Sequence, residues 1–205
     1  METLFETIEP SATNLHSYGQ RIRELLLLAC MEVESSCAAV LEANGYSANK
    51  PLKTTDYVKL LEPMMLDSYS LSLRSHPAFP SFAPFDGWSR SQPTKSLPWY
   101  DAYNRTKHNR ERSLSAATLQ YAVQAVGAAV VMLYAQFGFQ LGPGSANENT
   151  AIIRNVFSVK TAFDRYPTHC YVPAMSVEVY PAGGSVYPQQ PKPNWDWSLI
   201  DYPFK

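Results

Sequence analysis

The amino-acid sequence predicts a mainly α-helical protein that ends in an irregular extension with short strands. Two segments, residues 15–43 and 115–137, are long, rich in helix-forming residues and apolar at helical spacing. From residue 146 onwards, prolines and short alternating runs such as residues 176–180 replace that spacing. We therefore expect a helical domain at residues 1–145 and a proline- and aromatic-rich extension at residues 146–205 that packs on it.

The composition is that of a folded domain and gives no global reason to expect a polyanionic partner. Of the 205 residues, 45% are hydrophobic and 17% are charged, so a packed core is easily supplied. The formal net charge is −1, so any contact with nucleic acid requires a local basic patch. The sequence has no closely spaced cysteine pair of the zinc-binding kind and no glycine-rich phosphate loop, so we predict neither a metal nor a cofactor.

The cysteines and the amino-terminal residues predict a cytoplasmic protein. The cysteines number three, and on a helix Cys30 and Cys37 would lie roughly 10 Å apart, which is too far for a disulfide. Residues 1–10 contain three glutamates and no basic, apolar run, so no signal peptide is expected. Both features are typical of a reducing compartment.

The first long helix, residues 15–43, is predicted to end at Asn44-Gly45, a common helix stop. Its core face follows helical spacing and consists of Ile22, Leu25, Leu26, Ala29, Val33, Ser36, Cys37 and Val40. Leu27, Leu28 and Met31 fall outside that face, so apolar surface covers most of the circumference. Such a helix must be buried on more than one side, either at the centre of the domain or in a dimer interface.

A second apolar segment, residues 121–139, has the length of a membrane span and contains no charged residue. Several of its residues are alanine or glycine, which lowers its hydrophobicity, and no other segment is available to join it in a membrane bundle. We therefore predict a central buried helix and no membrane association, with a membrane helix as the alternative.

Shorter elements lie between the two long helices. We predict a helix at residues 55–62, with Thr54 or Thr55 as its cap, and a strand at residues 69–73. Prolines rule out long regular structure after that strand. The connection is nevertheless expected to be ordered, because it carries four large aromatic residues that favour burial: Phe79, Phe82, Phe85 and Trp88.

The helix expected from Pro98 to about Arg110 carries the candidate functional residues. Side chains three or four residues apart share one face of a helix, while Trp99 and Ala102 are available for the core. The shared face carries two phenols, a carboxamide, an ammonium and an imidazole, namely Tyr100, Tyr103, Asn104, Lys107 and His108. This combination is suited to a phosphate ester, because histidine exchanges protons near neutral pH and cations stabilise negative charge. The alternative is a solvated charged face with His108 in a structural role.

The order of these segments resembles the HEPN superfamily. The first helix contains Leu-Leu-Leu-Leu-Ala-Cys-Met-Glu-Val-Glu, residues 25–34, and residues 103–110 read Tyr-Asn-x-x-Lys-His-x-Arg before a helix of small residues. Members of that superfamily are helical domains that commonly dimerise, and many are metal-independent RNases of toxin–antitoxin and anti-phage systems. Their signature is an arginine, a polar residue, three variable residues and a histidine. Asn104 and His108 match it, while Tyr103 stands at the arginine position.

The resemblance, which spans roughly residues 15–138, implies an endoribonuclease that forms a homodimer and has an antitoxin or defence-system protein as a partner. His108 would act as general acid or base on RNA and Asn104 would position the phosphate. The negative charge would be countered by a basic residue, and the candidates are Arg105, Lys107 and Arg110. Tyr100 and Tyr103 would complete the substrate surface.

A second interpretation of the same segment is a catalytically inert helical module for dimerisation or binding. The tyrosine at position 103 favours it, because a phenol does not carry the charge of an arginine. Glu32 of the first helix also has two interpretations: it either orients a basic residue of the site or is a solvated residue at the border of the core.

Overall fold

A computed structural model describes residues 1–46, 50–108, 113–137 and 148–162 of the chain, without the side chains of Glu2, His108 and residues 148–150. Its helices are α1 (Glu2–Phe5), α2 (Gln20–Ala43), α3 (Thr54–Tyr57), α4 (Pro98–His108), α5 (Leu119–Phe137) and α6 (Glu148–Val156). The strands are β1 (Tyr69–Leu73) and β2 (Phe157–Thr161), and short 3-10 turns occur at Ala12–Asn14, Val58–Leu60, Leu66–Ser68 and Leu114–Ala116. The prediction of a mainly helical protein is confirmed for the described residues.

The long helices α2 and α5 form the centre of the fold. They make the most extensive helix pair among the described residues. The small residues that α5 buries allow close approach, and they include Ala122, Ala125, Gly127 and Ala128. The predicted start of α2 was five residues too early. Residues 15–18 instead run beside the start of α5, where Leu15 and Ser17 accept hydrogen bonds from the backbone N–H groups of Gln120 and Leu119. The first N–H groups of a helix need such partners, and residues 15–18 supply them instead of forming the first turn of α2.

The apolar surface of α2 is divided between the core and solvent. Leu26 and Cys37 are completely buried, as predicted for the core face, and Leu41, which was not assigned to that face, is buried as well. On the opposite side, Leu28 is 66% exposed and Met31 is 56% exposed. The central position of α2 therefore accounts for only part of its apolar circumference.

The helix predicted at residues 115–137, which includes most of the apolar segment 121–139, is α5; it begins at Leu119, four residues later than predicted. It is the one described helix that is long and apolar enough to cross a membrane, and 67% of its apolar window is buried inside the protein. Its neighbours are α2 and α4, which cover it with their own apolar faces. This burial agrees with the predicted core helix.

The predicted strand at residues 69–73 is β1, and it pairs antiparallel with β2 from Tyr69 opposite Thr161 to Leu73 opposite Phe157. Its other edge meets the aromatic connection, where Leu71 exchanges two backbone hydrogen bonds with Phe82. Phe79, Phe85 and Trp88 are buried and Phe82 is half-buried, which confirms that the connection is ordered.

The helix predicted at residues 55–62 is shorter than expected. It consists of α3 and the 3-10 turn Val58–Leu60, and it begins after Lys53 instead of a threonine cap. The backbone N–H of Lys53 donates to the Asp56 carboxylate, so the acceptor lies inside the first turn.

The extension begins more regularly than predicted. Residues 148–156 were expected to be irregular, but they form α6, which packs Ile153 and Val156 onto the core and leads directly into β2. The prediction of irregular structure was based on the prolines after residue 162, but α6 itself contains no proline. Residues 163–205, including the alternating run at 176–180, lie outside the described residues.

Replacement of Gly127 by alanine is expected to destabilise the protein. A Cβ atom at this position would lie 2.5 Å from Cε2 and 2.9 Å from Cζ of Phe82, so the ring must move. Urea unfolding should show a loss of about 1–3 kcal/mol from overpacking. This loss exceeds the gain of about 1 kcal/mol from the better helix propensity of alanine. Adding Phe82→Leu should recover most of it, and a Gly127→Ala protein as stable as the wild type would contradict the prediction.

Candidate functional site

Helix α4, which carries the predicted site, is anchored by its core side. Trp99 is buried, and its indole N–H donates to the Pro84 carbonyl over 2.7 Å. Ala102 and Thr106 are buried on the same helix. The prediction that Trp99 and Ala102 face the core is confirmed.

Tyr100 and Tyr103 lie together, as their spacing predicts, but in the core. Their rings are only 6% and 1% exposed and meet edge to face at 5.4 Å. Each hydroxyl donates to one carboxylate, that of Glu34 on α2: Tyr100 by a short bond to Oε1, and Tyr103 over 3.2 Å to Oε2. The two phenols thus belong to the interface between helices, whereas the sequence placed them on an accessible substrate face.

Lys107 connects this interface to the surface. Its ammonium donates to the Tyr103 hydroxyl over 2.9 Å and lies 4.9 Å from the centre of the Tyr103 ring, while the residue as a whole remains exposed. Glu34, Tyr100, Tyr103 and Lys107 therefore form one chain of hydrogen bonds, here called the Glu34 network. The Tyr103 hydroxyl is its central member, because it accepts from an ammonium and donates to a carboxylate.

The Glu34 network and burial shift the pKa values of the tyrosines upwards. Burial, followed by the hydrogen bond and charge of Glu34, raises the pKa of Tyr100 far above its ordinary value. Burial also raises the pKa of Tyr103, although the hydrogen bond from Lys107 partly offsets it. Nearby Tyr57 has its pKa raised to about 12 by burial and by the charge of Glu34. These phenols are therefore protonated donors at neutral pH and not general bases.

The pKa of Lys107 is also raised. Its hydrogen bond to Tyr103 is the largest cause, and it outweighs the partial burial that acts in the opposite direction. Lys107 is therefore a stable cation at neutral pH, held at the edge of the network.

The other predicted site residues are placed differently. Asn104 is half-buried, and its amide N–H donates to the Tyr100 carbonyl of the same helix over 3.2 Å. Arg105 is exposed. His108 is the last residue of α4, one position after Lys107, and its side chain lies outside the described residues, as does Arg110 entirely.

The sequence interpretation missed the acidic residue that organises the site. It considered Glu32, which is exposed, while Glu34 makes the contacts with α4. The available signal was the position of Glu34 in the helix, one residue after Val33 and three before Cys37 of the core face. A half-buried carboxylate at such a position needs hydrogen-bond donors from a neighbouring element.

The thiols near the network are inert by their surroundings. Cys30 and Cys37 are free and buried, and burial, followed by the charge of Glu34, raises the pKa of each thiol. Among the residues that the structure describes, no group of three or more histidine, cysteine or acidic side chains is arranged to hold a metal ion.

Comparison with known proteins returns no matching protein-family model, no matching curated protein and no matching solved structure.

Removal of the Glu34 carboxylate is expected to weaken the fold. Glu34→Ala leaves the buried hydroxyls of Tyr100 and Tyr103 without their acceptor, at a cost of about 2–4 kcal/mol in the free energy of unfolding. Glu34→Gln retains a carbonyl acceptor and should lose less, while Glu32→Ala on the exposed side should change stability by less than about 0.5 kcal/mol. Chemical denaturation measures all three. Equal stabilities for Glu34→Ala and Glu32→Ala would exclude a structural role for the network.

Stability is expected to fall at alkaline pH. The unfolded tyrosines lose their protons near the ordinary value of 10.0, while Tyr100 keeps its proton in the folded state, since its folded pKa is raised. The contribution of Tyr100 to the free energy of unfolding is therefore complete below pH 10 and declines as the pH rises above that value. In Tyr100→Phe the decline above pH 10 should be shallower by about 1.4 kcal/mol per pH unit, the value for one proton. Leu97→Ala, which removes buried apolar contacts but no ionisable group, should keep the wild-type slope; an unchanged slope in Tyr100→Phe would refute the shift.

Proposed function

We propose that this chain is a HEPN-like cytoplasmic protein that acts on RNA at the carboxyl-terminal end of α4, as a metal-independent endoribonuclease of a bacterial toxin or anti-phage defence system. The observation that supports this proposal is the position of Lys107. Its ammonium lies 2.9 Å from the hydroxyl of Tyr103, the residue at the position of the signature arginine. The positive charge missing at position 103 is thus supplied from the next turn of the same helix.

The proposed chemistry divides the roles among neighbouring residues of α4. His108 acts as general acid or base on the 2′-hydroxyl or the leaving 5′-oxygen, giving a 2′,3′-cyclic phosphate. Asn104 positions the phosphate, and Lys107 counters the developing charge, with Arg105 and Arg110 as further cations. Tyr100 and Tyr103 act indirectly, because their hydroxyls are occupied by Glu34.

A homodimer belongs to the same proposal. In HEPN-like dimers two motif helices build one cleft, and a dimer contact also gives a reason for the exposed Leu28 and Met31 on α2. An antitoxin or another defence-system protein is the proposed regulatory partner.

The second candidate function is a catalytically inert module that binds RNA or a partner protein. The burial of Tyr103 favours it, since a 1% exposed phenol that is bonded on both sides does not reach a substrate. In this alternative Lys107 and Arg105 form a binding surface, and no bond is cleaved.

An RNA cleavage assay in the presence of EDTA tests the proposal. Wild-type protein is expected to cleave RNA to cyclic-phosphate ends, His108→Ala to be inactive, and Lys107→Ala to be at least about tenfold slower, which corresponds to about 1.4 kcal/mol of transition-state stabilisation. Lys160→Ala removes the same charge from an exposed position on β2 and should retain full activity.

Each variant is compared at a temperature where its unfolding curve shows it to be folded. One informative outcome is a wild type that binds RNA without cleaving it, with binding weakened by Lys107→Ala and not by Lys160→Ala. That result would reject the nuclease and support the catalytically inert binding module. A folded wild type that neither binds nor cleaves tRNA, rRNA or mRNA would overturn the proposed action on RNA.

A further inference from the structure

Arg23 is a buried arginine on α2 that reaches the end of α4. It is 9% exposed, and its Nη2 donates to the carbonyl oxygen of Thr106 over 3.0 Å. Its Nε is buried without a hydrogen-bond partner, and no carboxylate lies within ion-pair distance of it in the described part of the chain. The interaction seen for this cation is therefore with the backbone of α4.

A buried guanidinium without a carboxylate partner needs another source of stabilisation. A charge that leaves water loses its hydration energy, and hydrogen bonds to polar groups of the protein must replace it. The hydrogen bond to the Thr106 carbonyl supplies part of that stabilisation, because a carbonyl oxygen carries partial negative charge toward the guanidinium. Thr106 lies two residues before His108, the last residue of α4.

The turn of α4 that Arg23 contacts is also stabilised by a side chain of α4 itself. Thr106 is fully buried, and its hydroxyl contacts the carbonyl oxygens of Ala102 and Tyr103 at 2.9 and 3.1 Å. With its hydroxyl and its carbonyl both engaged, the backbone at Thr106 has little freedom to move. Lys107 and His108 follow directly in the chain.

Arg23 and Glu34 hold α4 at two points. They lie eleven residues apart on α2, about three helical turns, which places them on nearly the same side and roughly 16 Å apart along the axis. Glu34 accepts hydrogen bonds from Tyr100 and Tyr103, whereas Arg23 donates to the last turn at Thr106.

We infer that Arg23 is a positioning residue that holds the last turn of α4, and with it Lys107 and His108, in the orientation that the RNA site requires. This inference rests on the proposed action on RNA and adds a residue from a different helix to that site. Arg23 acts through the backbone carbonyl of Thr106 and does not itself contact the substrate.

The test combines amide hydrogen exchange with RNA binding. Arg23→Met removes the charge and the donors while keeping a long side chain, and Arg23→Lys keeps the charge and one donor. Arg21→Met changes an exposed arginine two positions away and serves as the matched control. Exchange at the amides of Lys107 and His108 is measured relative to exchange in α5, so that a global loss of stability is separated from local opening.

In Arg23→Met we expect exchange at Lys107 and His108 to accelerate at least tenfold relative to α5, and the Kd for single-stranded RNA to rise at least tenfold. Arg23→Lys should recover most of both effects, and Arg21→Met should show neither. If Arg23→Met does not fold, the same comparison is made between Arg23→Lys and the wild type, with a smaller acceleration expected because one donor remains.

The outcomes distinguish this inference from the proposed function. If exchange at Lys107 and His108 is faster in Arg23→Met but the wild type does not bind RNA, Arg23 still positions the end of α4. The proposed action on RNA is then rejected. Normal exchange in Arg23→Met overturns the inference, whether RNA binding is unchanged or weakened by loss of a direct contact. Faster exchange with unchanged RNA binding also overturns it, since the orientation of the turn would then be irrelevant to the site.

Discussion

The carboxylate of Glu34 is the constraint on which the arrangement of the site depends. A carboxylate at the interface of two helices needs hydrogen-bond donors, and the phenols of Tyr100 and Tyr103 supply them. Because both hydroxyls must reach the same group, α4 has one rotation about its axis in which this is achieved. That rotation buries the tyrosines and Trp99, and it leaves Lys107 at the surface.

The surrounding core allows α2 and α4 to meet in this way because the side chains of α5 that face them are small. Its alanines and Gly127 let α2, α4 and the aromatic connection approach it closely, and the Phe82 ring fills the space that a side chain at position 127 would occupy. The length of α5 and its lack of charged residues made it ambiguous in the sequence, because a membrane span has the same features. In the fold α5 is mostly buried by packing partners on several sides, and such partners are not visible in the local composition.

Local patterns predicted the elements that are formed by local interactions. The helical spacing of α2 and α5 and the alternation of β1 were sufficient, because each element buries one face at its own period. The predictions failed where distant residues intervene. Residues 15–18 lie outside α2 because they pair with the start of α5, a hundred residues later. Helix α6 was missed because the prolines that follow it dominate the composition of that segment.

At the site too, local spacing predicted the grouping and distant contacts decided the environment. Spacing correctly grouped Tyr100 and Tyr103. Their burial depends on Glu34, more than sixty residues earlier, and a tyrosine is compatible with a buried or an exposed environment. The consequence concerns charge. With a phenol at position 103, the buried residue is neutral and the positive charge resides on Lys107, whose ammonium is linked through that phenol to Glu34. A neutral phenol is less costly to bury at this interface than a cation, because a charge that leaves water loses its hydration energy. Tyr103 and Lys107 therefore divide the two tasks: the phenol is buried in the interface, and the cation bonded to it lies where solvent has access to it.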